Sequence, residues 1–339
     1  MVPAKPRIEY IDCLRGFAMF LVVFTHVFSY CLDVKEVVLP LRIPGAFHSH
    51  LFFLISGLLT PICISGESYV RRFQYILLPT IVMFVLYVCF ICICSNQSLL
   101  INLGQGMNSE WKSGYWFPFV LFQIVSIHYL LSFLLSFIKK VSDGWMVLLL
   151  TGVWLLLIAL KNWDWFHNEA FLCQWFSLRL LVNYLPIYIL GVIGNHWWTL
   201  FNHVTANSWV IACCFVSFLT LFYSFRNGGY YLGLLISGLG SVGAYALFAV
   251  HSKAFSANNK IGRVISYVGE KTLPIYLLHY FFLFVINFPS YGALLAENRQ
   301  WITLTMISIG IAILIIGLCL VLNSLLEKIA PLHRIMLGK

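Results

Sequence analysis

Charged side chains are the scarcest component of this sequence: Asp, Glu, Lys and Arg make up 10% of its 339 residues, whereas hydrophobic residues make up 61%. A water-soluble fold of this length is excluded, because too few charged and polar side chains remain to cover its surface. The composition therefore predicts an all-α membrane protein that crosses the bilayer several times.

Several other signals are missing. No small-residue cleavage site follows the first apolar segment, so we interpret that segment as a retained span and not as a signal peptide. The Cys92-x-Cys94 pair has neither a second pair nor histidines at zinc-ligand spacing, and most cysteines lie in apolar runs, so we predict no metal site. No basic cluster is interleaved with aromatic residues, which argues against a nucleic-acid partner despite the formal charge of +9.

Hydropathy predicts about ten transmembrane helices. If the N-terminus is cytoplasmic, the inner loops hold thirteen Lys and Arg residues and the outer loops six, so both termini are predicted to be cytoplasmic. Residues 1–339 are predicted to form a single membrane domain without a soluble appended domain. The predicted spans are 10–31, 44–64, 73–94, 115–138, 144–160, 176–196, 208–225, 229–251, 272–288 and 302–325.

The first apolar segment contains three ionisable residues, Asp12, Arg15 and His26. Arg15 and His26 are eleven residues apart, which is close to three whole helical turns, so both share one face and lie roughly 16 Å apart along the axis. Asp12 precedes Arg15 by three residues and lies on the same face. Ionisable groups at membrane depth are costly, so this face is the first candidate site.

Further histidines and arginines extend this polar face into a path. His48 lies near the outer start of the second span and His26 near the outer end of the first, so antiparallel packing places the two imidazoles at similar depth. His279 is expected near the depth of Arg15, and Arg179 near the depth of His26. The alternative for each histidine is a core residue bonded to a nearby carbonyl, and for Arg179 a side chain that snorkels to the interface.

The remaining histidines and most aromatic residues favour structural roles. Tryptophan and tyrosine near the span ends are typical of the interfacial belt, although a minority could stack on a sugar ring. The histidines in this group fall in loops, at span ends or singly in apolar runs: His128, His167, His196, His203, His251 and His333.

Five motifs, taken in order, resemble those of the acyltransferase family 3 membrane proteins. In the first motif, Arg15 stands in Asp-x-Leu-Arg-Gly and is followed, after ten residues, by His26. The second motif reads Phe-His-Ser-His-Leu-Phe-Phe-Leu-Ile-Ser-Gly, where the family usually has Phe-His-Met-Pro. His50 therefore replaces a proline, which leaves open whether His48 or His50 faces the site. The other three motifs span residues 116–122, 184–191 and 269–279.

The resemblance implies an integral membrane O-acyltransferase of the bacterial cytoplasmic (inner) membrane. Such proteins transfer an acyl group, usually acetyl, from a cytoplasmic acyl-CoA to a hydroxyl of a cell-surface glycan or its lipid-linked precursor. Acetyl-CoA would be a donor substrate, and no bound cofactor is expected. Besides membrane lipid, the expected partners are therefore acyl-CoA and a glycan or lipid-linked saccharide.

Acyl transfer to a hydroxyl needs a base and donors for the developing oxyanion. We predict that His26 is the base or, in a two-step version, the nucleophile. His48 would orient the acceptor or stabilise the oxyanion. Arg15 would hold the donor or organise the His26 face, and Asp12 would orient Arg15. Weaker candidates for donor or substrate binding are His279, Arg179, His50, Trp116, Tyr276, Arg71 and Arg72, of which the last two are explained equally well by the positive-inside bias.

A transporter or flippase for a glycan or lipid-linked intermediate is the alternative function. Buried histidines and arginines also suit a proton-coupled carrier. Pro274 and the glycine-rich eighth span favour that function, because carriers use broken helices. Binding of an acyl-CoA discriminates between the two, since a carrier does not require it.

Overall fold

The computed structural model describes residues 8–34, 39–96, 98–138, 144–161, 171–225, 229–256 and 259–338, and these contain α-helices and no strand. Among the described residues, we number the helices of the N-terminal half α1 (Glu9–His26), α2 (Leu39–Gly45), α3 (His48–Leu58), α4 (Gly66–Arg72), α5 (Leu78–Ser95), α6 (Leu99–Asn108), α7 (Trp116–Leu135), α8 (Gly144–Lys161) and α9 (Phe171–Trp175). The remaining helices are α10 (Leu178–His196), α11 (Trp198–Thr205), α12 (Ser208–Ser224), α13 (Tyr230–Val250), α14 (Lys260–Glu270), α15 (Thr272–Val285), α16 (Pro289–Glu297), α17 (Trp301–Glu327) and α18 (Ala330–Leu337).

Two π-helical turns lengthen the regular helices. Val27–Cys31 continues α1, and Phe73–Leu77 joins α4 to α5. With these turns, six helices of the described residues are long and apolar enough to cross a membrane. They are Glu9–Cys31, Gly66–Ser95, Trp116–Leu135, Leu178–His196, Tyr230–Val250 and Trp301–Glu327.

Two further spans are possible as bent pairs: α11 with α12 bends by 75°, and α15 with α16 by 83°. The multi-pass helical membrane architecture is therefore confirmed with six to eight candidate spans. Two of the ten predicted spans, 44–64 and 144–160, are not among them. Gly144–Leu160 is apolar but shorter than the others.

The predicted span 44–64 is two short helices instead of one long one. A turn at Ala46 and Phe47 separates α2 from α3, and α3 has only eleven residues. Pro61 explains where α3 ends, because a proline disfavours helical conformation at the residue before it. Eleven residues rise about 16 Å, well short of the roughly 30 Å hydrocarbon core.

The described residues divide into two compact units. The first unit consists of Met1–Ile55, Trp197–Thr272 and Leu283–Gly317. Within it, α1 packs against α14 with backbone touching backbone: a Cβ at Gly16 would overlap the carbonyl oxygen of Ile265, and a Cβ at Gly269 that of Asp12. Only glycine permits this approach.

The second unit consists of Ser56–His196, Leu273–Phe282 and Leu318–Lys339. His128 lies fully buried in α7, and both ring nitrogens have partners: Nδ1 is 2.9 Å from the Tyr188 hydroxyl, and Nε2 is 2.8 Å from the Ile62 carbonyl oxygen. A carbonyl oxygen only accepts, so Nε2 donates and Nδ1 accepts from Tyr188. His128 has the structural role that the sequence predicts.

Candidate active site

Asp12, Arg15 and Thr272 form a cluster in the first unit. The Asp12 Oδ1 lies 3.6 Å from the Arg15 Nη1, one turn along α1, as the spacing predicts. Arg15 Nη2 donates to the Thr272 Oγ1 at 3.1 Å, and Thr272 is the first residue of α15. The Asp12 side chain is 12% exposed, whereas the Arg15 side chain is 33% exposed. The guanidinium is thus held by two residues while part of it remains accessible.

The close contact of α1 with α14 places this cluster. The Asp12 carbonyl oxygen lies against Gly269, three residues before Thr272 in the chain. The Cys13 Sγ lies 3.2 Å from the carbonyl oxygen of Phe255 and 3.3 Å from that of Gly262, and its one S–H is shared between these two acceptors. The distance between Arg15 and Thr272 therefore depends on how closely Gly16 and Gly269 allow α1 and α14 to approach each other.

His26 is the last residue of α1 and is half-buried. Its ring is edge-on to that of Tyr30, with 5.5 Å between the centroids. The π-helical turn Val27–Cys31 begins at the next residue. π-Helical turns are rare and often occur at functional sites, so this turn independently supports a functional role for the neighbouring His26.

His48 is the first residue of α3, and its Nδ1 lies 2.8 Å from the carbonyl oxygen of Pro44 in α2. Since the carbonyl accepts, Nδ1 carries the hydrogen, and Nε2 of the neutral ring carries the lone pair. The contact thus fixes both the orientation and the tautomer of the imidazole, as a backbone carbonyl bonded to the second ring nitrogen often does at active sites. His50 follows two residues later and projects about 200° around the helix from His48.

The four residues predicted to be catalytic, Asp12, Arg15, His26 and His48, all belong to the first unit. The structure brings Asp12 and Arg15 together. The similar depth of His26 and His48 stays a prediction. Within the described residues, no group of three or more His, Cys, Asp or Glu side chains is arranged to hold a metal ion.

Tyr276 and Trp116 belong to the second unit, where they organise the start of α7. The Tyr276 hydroxyl donates to the Gly114 carbonyl oxygen at 2.6 Å and accepts from the Phe117 amide at 3.4 Å. Trp116 stacks on Tyr184 with 5.0 Å between ring centroids. Because the Tyr276 hydroxyl and the Trp116 ring already contact neighbouring residues, both side chains serve to position the start of α7.

His279 is also in the second unit and is fully buried. Its Nδ1 lies 2.7 Å from the Tyr276 carbonyl oxygen, so the ring is tied to its own helix, and Nε2 of the neutral ring carries the lone pair. The two arginines predicted for the donor have partners as well. Arg71 pairs with Glu67 at 2.8 Å on the surface, and Arg72 donates to the Thr60 Oγ1 at 2.9 Å.

An open polar cleft of about 440 Å³ lies in the second unit. Arg179, in the first turn of α10, reaches it and pairs with Glu110, with 3.4 Å between Nε and Oε1. Of the cleft residues, the sequence predicts a binding role for Arg179, and it places Trp111 among the aromatic residues of the interfacial belt, a minority of which could stack on a sugar ring. The others carry no periodic pattern or recognised motif. The lining residues are Gln105, Asn108, Ser109, Glu110, Trp111, Gln174 and Arg179.

Lys112 builds the wall behind this cleft. Its buried ammonium donates to the carbonyl oxygens of Met107 at 2.6 Å, Ser109 at 2.9 Å and Gln174 at 2.7 Å, which ties α6 to α9. The Ser177 Oγ adds a bond to the Glu110 carbonyl oxygen at 2.8 Å. Lys112 itself has a left-handed backbone with φ of 47°, an uncommon conformation that is usually held in place by its surroundings.

We expect the contribution of Lys112 to stability to depend on pH. Burial lowers the pKa of the ammonium to about 8, and the carboxylate of Glu110 limits the shift. In the unfolded chain the proton stays until about pH 10.4, so between these values the unfolded state binds more protons and the free energy of unfolding rises with pH. The wild type should therefore gain up to roughly 3 kcal/mol relative to Lys112→Met across this window.

Thermal unfolding in detergent measures this difference. Both proteins are followed from about pH 7 to about pH 10.5, so that effects common to the two chains cancel. A difference that stays constant or falls with rising pH would contradict the buried ammonium.

Comparison with known proteins decides the family. A family model described as an acyltransferase domain matches residues 8–323, nearly the whole chain. The chain belongs to acyltransferase family 3. No curated protein and no solved structure gives a match. Together with the apolar helices, the family shows that this protein is a membrane acyltransferase of the multi-pass type, and every candidate site residue from Asp12 to His279 lies inside the matched range.

Proposed function

We propose that this acyltransferase transfers an acyl group, in the simplest case acetyl, from acyl-CoA to a hydroxyl of a cell-surface polysaccharide or its lipid-linked sugar precursor. The observation that carries the proposal is the oriented Arg15, held by Asp12 at 3.6 Å and Thr272 at 3.1 Å. A guanidinium has five N–H donors, and one that remains partly accessible suits a donor rich in carbonyl and phosphate oxygens.

The reaction needs one proton to leave the acceptor hydroxyl and one proton to reach the departing thiolate. The acceptor oxygen attacks the thioester carbonyl, a C–O bond forms, the C–S bond breaks, and His26 takes the hydroxyl proton and delivers it to the departing thiolate. His48, with its lone pair on Nε2, orients the acceptor hydroxyl. In a two-step version, the imidazole of His26 carries the acyl group before the hydroxyl attacks.

We place the enzyme in the bacterial cytoplasmic membrane with both termini on the cytoplasmic side. With α3 and α8 counted as crossings, as hydropathy predicts, the six long helices and the two bent pairs bring the total to ten, and an even number of crossings leaves both termini on one side of the membrane. The excess of basic residues in the inner loops supports this orientation. The donor is then a soluble acyl-CoA on the cytoplasmic side, where Arg71 and Arg72 are candidates for its phosphates.

Calorimetric titration of acetyl-CoA into the purified protein in detergent tests the proposal. We expect Arg15→Ala to weaken binding at least about tenfold, which corresponds to the loss of one charged hydrogen bond of about 1.5–3 kcal/mol. His26→Ala should bind like the wild type, because the base does not hold the donor. Arg299→Gln, at an exposed position, is the control.

A carrier is the second candidate function, and the two bent helix pairs favour it, because transporters use broken helices around their substrate site. If the folded wild type binds neither acetyl-CoA nor succinyl-CoA, the acyl-transfer proposal fails and the carrier is favoured.

A further inference from the structure

The residues that line the polar cleft of the second unit differ from those expected at a binding site for acyl-CoA. Among the described residues that line it, the charged groups are Glu110 and Arg179, which pair with each other at 3.4 Å, and the Lys112 ammonium behind the cleft is taken up by three carbonyl oxygens. A nucleotide with several phosphates needs an excess of positive charge or many oriented N–H donors. The cleft offers neither, so a coenzyme A nucleotide is a poor occupant.

The same groups match a polyhydroxylated ring. The side-chain amides of Gln105, Asn108 and Gln174 each provide both donors and acceptors, as sugar hydroxyls do. Trp111 is 55% exposed and presents a large apolar surface for the C–H face of a pyranose. An edge-on contact with Trp116, at 5.7 Å between centroids, holds its ring in place.

We propose that this cleft is a binding subsite for one sugar unit of the acceptor glycan. The subsite rests on the proposed function for the identity of its ligand, but not for its existence. Its volume of about 440 Å³ falls within the range of about 300–1,000 Å³ of small-molecule sites. Because the cleft is open, a longer chain can continue beyond the bound unit.

The cleft is built before any ligand arrives. Lys112 fixes the carbonyl oxygens of Met107, Ser109 and Gln174, and Ser177 fixes that of Glu110. Binding therefore orders few additional groups, which keeps the entropic cost low. In the ten-span topology proposed above, residues 98–115 belong to an outer loop, which is where a surface glycan is available.

Saturation-transfer NMR tests the subsite directly. The probe is a mixture of soluble oligosaccharides released from the envelope of the cells that carry the protein, added to the full chain in detergent. We expect a transfer signal with the wild type, at least a fivefold weaker signal with Trp111→Ala, and a comparable loss with Gln105→Leu, whose position is exposed and tolerates the change. Trp209→Ala is the matched control, since Trp209 is 77% exposed and lies outside the cleft.

Two results would overturn the subsite: no signal with the folded wild type, or a signal that survives both cleft substitutions. Acetyl transfer to the same oligosaccharides is measured in parallel, and there the substitutions should raise KM for the acceptor about tenfold while acetyl-CoA affinity stays unchanged. A cleft-dependent signal without any transfer by the wild type would keep the subsite and refute the proposed function. Transfer with unchanged KM in both variants would keep the function and refute the subsite.

Discussion

His26→Ala should lower acyl transfer by roughly 10²–10⁴-fold, the usual contribution of a positioned general base. The protein should still insert and bind acetyl-CoA, because His26 is half-buried at the end of α1 and is followed directly by a π-helical turn that keeps its own backbone bonds. Transfer is measured with labelled acetyl-CoA, and folding by thermal unfolding in the same detergent.

The control for this experiment is His251→Ala. His251 is exposed at the end of α13, and its Nδ1 contacts the carbonyl oxygen of Leu247, so its loss should change neither transfer nor stability by more than a small amount. Undiminished transfer by His26→Ala would remove this histidine from the mechanism. Equal losses in both variants would indicate a general effect on the fold.

Gly269→Ala should remove transfer by a different route, through the packing of α14 on α1. A Cβ at this position would overlap the carbonyl oxygen of Asp12, and backbone cannot swing aside as a side chain can. We expect a loss of at least about 3 kcal/mol in the free energy of unfolding, the upper end of common overpacking costs. Acetyl-CoA binding should weaken as well, because Thr272 moves away from Arg15.

Gly310→Ala and Gly152→Ala are matched controls for this substitution. Both glycines lie inside apolar helices, α17 and α8, and a Cβ at either would meet no atom within 4 Å. Alanine is the better helix former by about 1 kcal/mol, so these variants should be as stable as the wild type or slightly more stable. If Gly269→Ala behaves like them in unfolding and in donor binding, the close packing of α1 on α14 does not set the site.

Part of this picture follows from sequence reasoning. The i, i+3 spacing predicts the contact of Asp12 with Arg15, because helical geometry is local and independent of the rest of the fold. The ordered motifs give the family. The isolated position of His128 in an apolar run predicts its structural role. Its partners, Tyr188 and Ile62, are sixty or more residues away, so the spacing of the sequence does not predict them.

Other parts depend on tertiary contacts that no local pattern encodes. Hydropathy alone predicts the second span, and hydropathy does not reveal the turn at Ala46 or the helix end before Pro61. Thr272 is recognisable as a partner of Arg15 only once α14 has been packed on α1. The cleft around Glu110 is assembled from a loop and three helices, α6, α9 and α10, which come from two distant stretches of the chain, so its residues look like unrelated polar positions in the sequence.

Cys13 gives this enzyme a built-in reporter. Its sulfur is fully buried between α1 and α14, within hydrogen-bonding distance of two carbonyl oxygens, so an alkylating reagent reaches it only when those helices separate. The rate at which Cys13 is alkylated, followed by mass spectrometry of the peptide that carries it, therefore counts openings of the helix pair beside Arg15. Comparing that rate with and without acyl-CoA would show whether the donor clamps the pair shut during turnover.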